Sequence, residues 1–189
     1  MASAAGYAAL MGPVLVIELA GAVPARRIER LREFLMGSSS HFEENRVGEY
    51  DLNIRASSLA GIDPGACDGC PPVMVSLVGP GFGGEAALET EHAEQGDPAP
   101  HIGFTPTHAA HVIAFCDDQV DHVVTALLAA EVMDVTGGVV NAQLPQDQAP
   151  IVAALPGVIA TLTSPWPAVY GSAEFLRAWA HAPGFRLMK

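Results

Sequence analysis

Basic residues are scarce in this sequence and absent from its long middle section. The chain has nine Lys and Arg residues against 21 Asp and Glu residues, a formal net charge of −12. Between Arg55 and Arg177 there are 14 acidic residues and no Lys or Arg. Such a section repels nucleic acid and anionic membranes and attracts a cationic partner, although acidity also serves solubility alone. Nucleic acid and membrane are therefore not expected as partners.

Cysteines and long apolar runs are also few. Three cysteines, an odd number, do not form a disulfide framework, so a reducing cytoplasm is the simpler interpretation. In the apolar N-terminal segment the first positive charge, Arg26, follows the apolar run, which is unlike a signal peptide. No stretch of about 18 apolar residues lacks a charge or a helix breaker, so no membrane span is expected. We predict a cytoplasmic protein.

Aromatic residues are the third scarcity. They make up 6 % of the chain, whereas 50 % of all residues are hydrophobic, so the core must consist mainly of Val, Leu, Ile and Ala. A chain of 189 residues is long enough to bury such a core and fits one ordinary domain. We predict a single domain over residues 1–189.

The apolar residues that are present alternate between strand and helix periodicity. Cys116 falls in one of the predicted strands and is expected to be buried. Acidic, glycine-rich residues 80–101 predict a long exposed loop with at most one helical turn. SPWPAVYGS (164–172) predicts a proline-rich loop, in which we expect Trp166 and Tyr170 to fold back over the core; exposed aromatics there would instead anchor a partner. Helices are predicted at residues 23–40, after an Asp117 or Asp118 cap, at 147–155 and after a Ser172 cap. Strands are predicted at residues 13–21, 49–57, 73–79, 110–116, 137–144 and 157–163.

Two segments repeat the same order of elements. VLVIELAGAVPARRIERLREFL and HVIAFCDDQVDHVVTALLAAEV each contain an apolar strand, a short turn and an amphipathic helix, and further strands follow each of them. Two such β-α-β(-β) units side by side predict an α+β fold, in which helices pack mainly on one face of a mostly antiparallel sheet.

The richest group of chemically active side chains lies in the window His101–His122, which contains four histidines, Cys116 and three aspartates. Zinc needs three or four ligands that converge on one point. His108 and His111 are three positions apart, and side chains alternate along a strand, so the two histidines should point to opposite faces of the sheet. Asp118 and His122 share a helix face, but two ligands do not make a site. We therefore expect no metal and no cofactor.

Catalytic motifs are weak or missing. Cys67 and Cys70 form a lone C-x-x-C flanked by Pro and Gly, without the helix N-terminus that lowers a thiol pKa, so the role of the cysteines stays open. GPGFGG matches a nucleotide-binding pattern, but carboxylates follow it and no P-loop lysine does. No serine-nucleophile elbow occurs. The sequence therefore predicts a protein that is not an enzyme.

Three segments resemble a known group of proteins. PVLVIEL, VDHVVTALLAAEVMDVTGGVVNAQL and SAEFLRAWAHAPGFRLMK are similar to segments of bacterial polymorphic-toxin immunity proteins and their uncharacterised relatives. The resemblance covers about a third of the chain and implies a non-enzymatic protein that binds a cognate toxin and blocks its active site or substrate groove. Its residues are Asp134, Gly137, Gly138, Phe175, Leu176, Trp179, Pro183, Phe185, Arg186 and Lys189.

Charge and resemblance together predict neutralisation of a protein toxin with a basic surface. The alternatives are a small-molecule-binding or metal-dependent enzymatic domain that uses the His101–His122 window, and a structural subunit of a larger assembly. In the first hypothesis the partner contacts acidic side chains. We expect these to be Glu85, Glu89, Glu91, Glu94, Asp97, Asp117, Asp118 and Asp121.

Overall fold

The fold is built on one sheet of eight strands. The structure, a computed structural model, describes residues 12–62, 71–164 and 166–188. Neighbouring strands are all antiparallel, in the order β2-β3-β4-β5-β1-β6-β8-β7. The strands are β1 (Val14–Leu19), β2 (Ser39–Arg46), β3 (Glu49–Ile54), β4 (Pro72–Val78), β5 (His108–Ala114), β6 (Val139–Gln143), β7 (Val158–Leu162) and β8 (Ala168–Gly171).

The helices lie mainly on one face of this sheet, which we call the helix face. α1, α4 and α6 pack together there, with α4 in contact with both of the others and with β1 and β5. The predicted α+β fold with a mostly antiparallel sheet is therefore confirmed. The helices are α1 (Ala25–Ser38), α2 (Glu85–Gln95), α3 (Ala99–Ile102), α4 (Gln119–Thr136), α5 (Ala149–Val152) and α6 (Ala173–Ala180).

The two predicted repeat units meet at the centre of the sheet. β1 and β5, the first strand of each unit, pair with each other, and Leu15 lies opposite Val112. β4, from the first unit, pairs with β5, and β6, from the second unit, pairs with β1. Each unit therefore completes the sheet beside the other unit's first strand, which ties the two halves into one core.

Strand alternation divides the side chains of the central strands between the two faces. Leu15 and Ile17 of β1 are almost fully buried against the helices, whereas Val16 and Glu18 point to the opposite side. Burying one such Leu or Ile contributes about 1.5–3 kcal/mol, so this stripe is a main source of stability. Because β1 has a strand on each side and cover on each face, its sequence is a nearly continuous apolar run.

A polar hydrogen bond inside the helix layer holds α6 in place. Trp179 is fully buried and stacks on Phe175, with 5.4 Å between the ring centroids. Its Nε1–H donates to Oε1 of buried Gln148 at 2.9 Å, and the Gln148 amide donates to the Gly184 carbonyl. The Trp-bearing segment that was singled out in the sequence therefore forms part of the core.

Four elements were missed in the sequence, and one of them is the four-residue helix α3. Glu85–Gln95 is a helix of 11 residues, where a long exposed loop was expected, because Ala and Glu favour helix and Leu88 anchors one side to the sheet. Ser39–Arg46 forms the edge strand β2, whose polar residues gave no apolar signal. Ala168–Gly171 forms β8, so the predicted proline-rich loop is a strand over part of its length.

Two further expectations on single residues need correction. Cys116 is exposed, because β5 ends at Ala114, two residues before it. Tyr170 is buried in β8, as expected for an aromatic that folds over the core, but Trp166 is 64 % exposed. Among the described residues, no helix combines the length and the apolar character that crossing a membrane requires.

Candidate functional site

The sheet face opposite the helix face, which we call the second face, is only partly covered. α2 lies over its centre, where Leu88 is 5 % exposed and packs against Val16, Val78 and Ala109. α3 contacts β7 farther along. With a single leucine in this small cluster, α2 has little apolar anchorage, so its polar contacts with the sheet become important.

The first polar contact is a buried carboxylate under α2. Glu18 is 1 % exposed, and its Oε2 lies 3.0 Å from His92 Nε2 on α2. Its Oε1 accepts a hydrogen bond from Asn141 Nδ2 on β6 at 3.2 Å. Because an ionised carboxylate can only accept hydrogen bonds, the His92 imidazole is the donor to Glu18. A buried charge is tolerated only with such partners, so Glu18 ties α2 to the sheet.

The second polar contact lies one residue earlier in α2. Glu91 Oε2 and His111 Nε2 are 3.5 Å apart, and neither atom has a hydrogen-bond partner although both are buried. The pair attracts electrostatically when the imidazole is charged but is not aligned for a hydrogen bond. A cleft of about 330 Å³ adjoins the pair.

Next to α2, strands β2 to β5 leave a shallow concave surface uncovered. A cleft of about 420 Å³ lies over it, lined by Asp51, Met74 and Ile113 among others. Glu49 is two strands away from His111 along a cross-strand row through Ser76, a distance of about 10 Å. The open strands and α2 therefore form one continuous surface.

Carboxylates are spread over this surface. Glu43 and Asp51 lie opposite each other on β2 and β3, and Glu43 is 63 % exposed. Glu85 and Glu89 are exposed on α2, and Asp97 follows the helix. Glu94 lies in the last turn of α2. We call the set Glu43, Glu49, Asp51, Glu85, Glu89 and Asp97 the acidic face.

The acidic face differs from the helix face in how its charges are balanced. On the helix face, Arg32 pairs with Glu44 at 2.7 Å, and Arg177 pairs with Glu131 at 3.1 Å and with Asp134. These hydrogen bonds raise the pKa of both guanidinium groups.

On the acidic face, Glu49 pairs with Arg46 at 2.7 Å at the hairpin end. In the described part of the chain, no Arg or Lys lies within ion-pair distance of Glu43, Glu85 or Glu89. Arg26, Arg27 and Arg30 project from α1 on the other side of the sheet. Glu43, Glu85 and Glu89 are therefore not neutralised by any Arg or Lys of the described residues.

The three aspartates before and within α4 have a different place. Asp118 is the N-cap of α4, as predicted, and its N–H donates to Asp121 Oδ2 at 2.7 Å. Asp121 is 4 % exposed, so it offers a partner no surface, and we leave it out of the acidic face. Asp117 is exposed, with Oδ1 3.4 Å from His122 Nε2. Asp117 and Asp118 lie at the loop where the sheet meets the helix layer.

The four histidines of the His101–His122 window do not converge. His108 and His111 lie on opposite faces of β5, as their spacing predicted. His101 stacks on Tyr170, with 5.9 Å between the ring centroids, and His122 Nδ1 accepts from the Leu187 N–H at 3.1 Å. No three His, Cys, Asp or Glu side chains that could hold a metal ion come together among residues 12–62, 71–164 and 166–188.

The cysteines add no activated nucleophile to what the structure describes. Partial desolvation, together with the carboxylates of Asp121 and Asp118, raises the pKa of the Cys116 thiol. A raised pKa keeps the thiol protonated and weakens it as a nucleophile. Cys67 and Cys70 lie outside the described residues, so the C-x-x-C prediction stays a prediction.

Sequence reasoning missed the polar residues under α2 and on the open strands. Glu18 stands inside the apolar run VLVIEL, where a single carboxylate is the one signal that it is special. Asp51 and Asn53 alternate with Tyr50 and Leu52, so the strand period does place them on the face away from the core. The alternation along the strand does not reveal that helix α2 lies beside these residues.

Comparison with known proteins gives one result. Residues 11–189 match the model of a family described as a family of unknown function, DUF6368. Neither the curated proteins nor the solved structures contain a match to the chain.

Proposed function

The chain belongs to the DUF6368 family, and we propose that it is a non-enzymatic binding protein that neutralises a cognate protein toxin. Its acidic face would occupy the toxin's active site or substrate groove, and the groove would be basic. The proposal joins the resemblance to polymorphic-toxin immunity proteins with the charge distribution on the folded molecule. It also predicts action in the cytoplasm, without nucleic acid or membrane as a partner.

The observation that carries the proposal is the set of carboxylates on the acidic face that no arginine neutralises. Glu44, Glu131 and Asp134 are paired with Arg32 or Arg177, whereas Glu43, Glu85 and Glu89 have no such arginine in the part of the chain described. Unpaired carboxylates gathered on one surface create a potential that extends beyond single contacts and speeds the approach of a basic partner.

The shape of the surface agrees with such a use. The cleft of about 420 Å³ over β2 to β5 is shallow, with apolar Met74 and Ile113 among its polar residues. Protein interfaces commonly combine apolar contact at the centre with polar side chains around it. A protruding element of a toxin could therefore rest on the strands while Glu43 and Glu85 contact basic side chains around it.

The experiment compares two triple variants that lose the same three charges. E43Q/E85Q/E89Q removes charge from the acidic face, whereas E33Q/D147N/E174Q removes charge from exposed positions outside it. A candidate partner is sought in the neighbouring reading frames as a gene that ends in a small toxin-like domain, and that domain is purified separately. Association rates are measured by stopped flow from about 50 to 500 mM salt, where screening removes long-range attraction.

We expect the acidic-face variant to associate about eightfold more slowly at low salt, since three surface charges at about 0.4 kcal/mol each contribute about 1.2 kcal/mol. The control variant should stay within about twofold of the unmodified protein. In cells, co-expression should relieve the toxicity of the domain. A salt-independent association rate, or toxicity that persists on co-expression, contradicts the proposal.

A further inference from the structure

The cleft beside α2 has an apolar wall and a polar end. It lies between α2, β1, β5, β6 and the C-terminal segment, with a volume of about 330 Å³. Its apolar lining includes Val14, Val16, Ile113 and Met188, and Glu91 and His111 are among its polar lining residues. A long aliphatic side chain with a polar head has the matching distribution of surfaces.

Glu91 and His111, which we call the polar end of the cleft, each have a buried polar atom without a hydrogen bond. His111 is 9 % exposed, and its Nε2 lacks a hydrogen-bond partner. Glu91 Oε2, 3.5 Å away, is also buried and without a hydrogen bond. Buried polar atoms are nearly always satisfied in folded proteins, so a pair of this kind beside a cleft points to a ligand that completes it.

We infer that this cleft is the anchor site for an arginine side chain of the protein partner. The aliphatic stem would lie along Val16 and Met188, and the guanidinium would donate to the Glu91 carboxylate and to the neutral His111 imidazole. This inference rests on the proposed function and assigns one specific contact to it.

Arginine fits this end better than other side chains do. Two acceptors of different kinds, a carboxylate and an imidazole nitrogen, need a donor with several N–H groups in a fixed fork, which a guanidinium provides. An ammonium is a compact, strongly hydrated charge that gives up its water reluctantly. Arginine is also enriched among the residues that dominate binding energy at protein interfaces.

The test uses the purified protein without its partner and n-butylguanidinium chloride as the probe. The His111 ring resonances are followed by NMR during the titration, with neutral n-butylurea as a control of nearly the same shape. We expect n-butylguanidinium to bind in the millimolar range and n-butylurea to bind about tenfold more weakly or not at all.

Three variants locate the effect. Glu91→Gln keeps the shape but loses the charge and should weaken probe binding about tenfold, and Glu91→Lys fills the cleft with its own cation and should abolish it. Glu33→Gln, at an exposed position of α1 outside the cleft and the acidic face, should bind the probe within about twofold of the unmodified protein. Thermal unfolding confirms that each variant is folded. Unmoved His111 resonances, or equal binding by Glu91→Gln, overturn the inference.

The partner complex separates this inference from the proposed function. Loss of a buried contact acts mainly on dissociation, whereas loss of rim charge acts mainly on association. Glu91→Gln should therefore speed dissociation, and E43Q/E85Q/E89Q should slow association. If the probe does not bind to the cleft but the acidic-face variant still associates more slowly, only the arginine site is overturned. The reverse pattern overturns only the acidic-face account.

Discussion

The hydrogen bond between Glu18 and His92 should be a main attachment of α2, and His92→Ala tests it. Glu18 is 1 % exposed and has two partners, His92 at 3.0 Å and Asn141 at 3.2 Å. Removing one partner of a buried charge costs about 3–5 kcal/mol. Because Asn141 remains and His92 is 22 % exposed, we expect the lower end, about 3 kcal/mol at pH 7.

A double-mutant cycle isolates this contact. In a Glu18→Gln background the buried charge is gone, so His92→Ala should cost only about 1 kcal/mol, the value of an ordinary hydrogen bond. The interaction energy between the two residues should therefore be about 2 kcal/mol. Urea unfolding followed by the fluorescence of buried Trp179 measures all four proteins. An interaction energy below about 0.5 kcal/mol would refute the reasoning.

Three further predictions concern other parts of the fold. Gln148→Leu leaves the Trp179 Nε1–H without an acceptor and should lower the free energy of unfolding by about 3 kcal/mol in urea, whereas exposed Gln143→Leu should change it by less than about 0.5 kcal/mol. Burial, with the carboxylates of Glu18 and Asp97, raises the pKa of Tyr170 from 10.0 to about 12, so the folded state retains the phenolic proton more strongly. Tyr170 should therefore not affect stability below about pH 10 and should contribute a fall of up to about 1.4 kcal/mol per pH unit between pH 10 and 12, so Tyr170→Phe should make the total fall shallower in urea titrations at each pH. Asp118→Ala removes the N-cap of α4 and should cost about 1 kcal/mol in thermal unfolding, while Asp118→Asn should cost much less.

The position of α2 links stability to the proposed function. This helix carries Glu85 and Glu89 on its exposed side and holds Glu91 beside the cleft. Its apolar anchor is Leu88, so the contacts with Glu18 and His111 help to fix its orientation. A variant that loosens α2 without a change in net charge should therefore slow association with the toxin and also weaken binding of the guanidinium probe.

Much of the secondary structure was readable from local pattern. The apolar run of β1, the alternation of Tyr50 and Leu52 in β3 and the cap of α4 at Asp118 were all predicted, because each signal depends on residues only a few positions apart. The edge strand β2 was missed because it pairs on one side only and carries polar residues on much of its surface.

The candidate site was less accessible to sequence reasoning. Glu85 and Glu89 were predicted as partner-binding residues from charge alone. The structure places them at exposed positions of a helix, where a loop was expected. Asp121 was grouped with them from the same kind of signal, yet it is buried in a capping interaction. Net charge counts residues along the chain and does not distinguish a solvated carboxylate from a buried one.

By itself, the sequence determined the class of the fold, the character of its core and the acidity of its middle section, since composition and short-range periodicity are properties of neighbouring residues. Only the tertiary structure decided that Glu18 meets His92, 74 positions away, and that Glu91 meets His111 beside a cleft. Such contacts depend on strand order and on where a weakly apolar helix comes to rest. Those outcomes are set by packing over the whole sheet, and no local window of residues contains them.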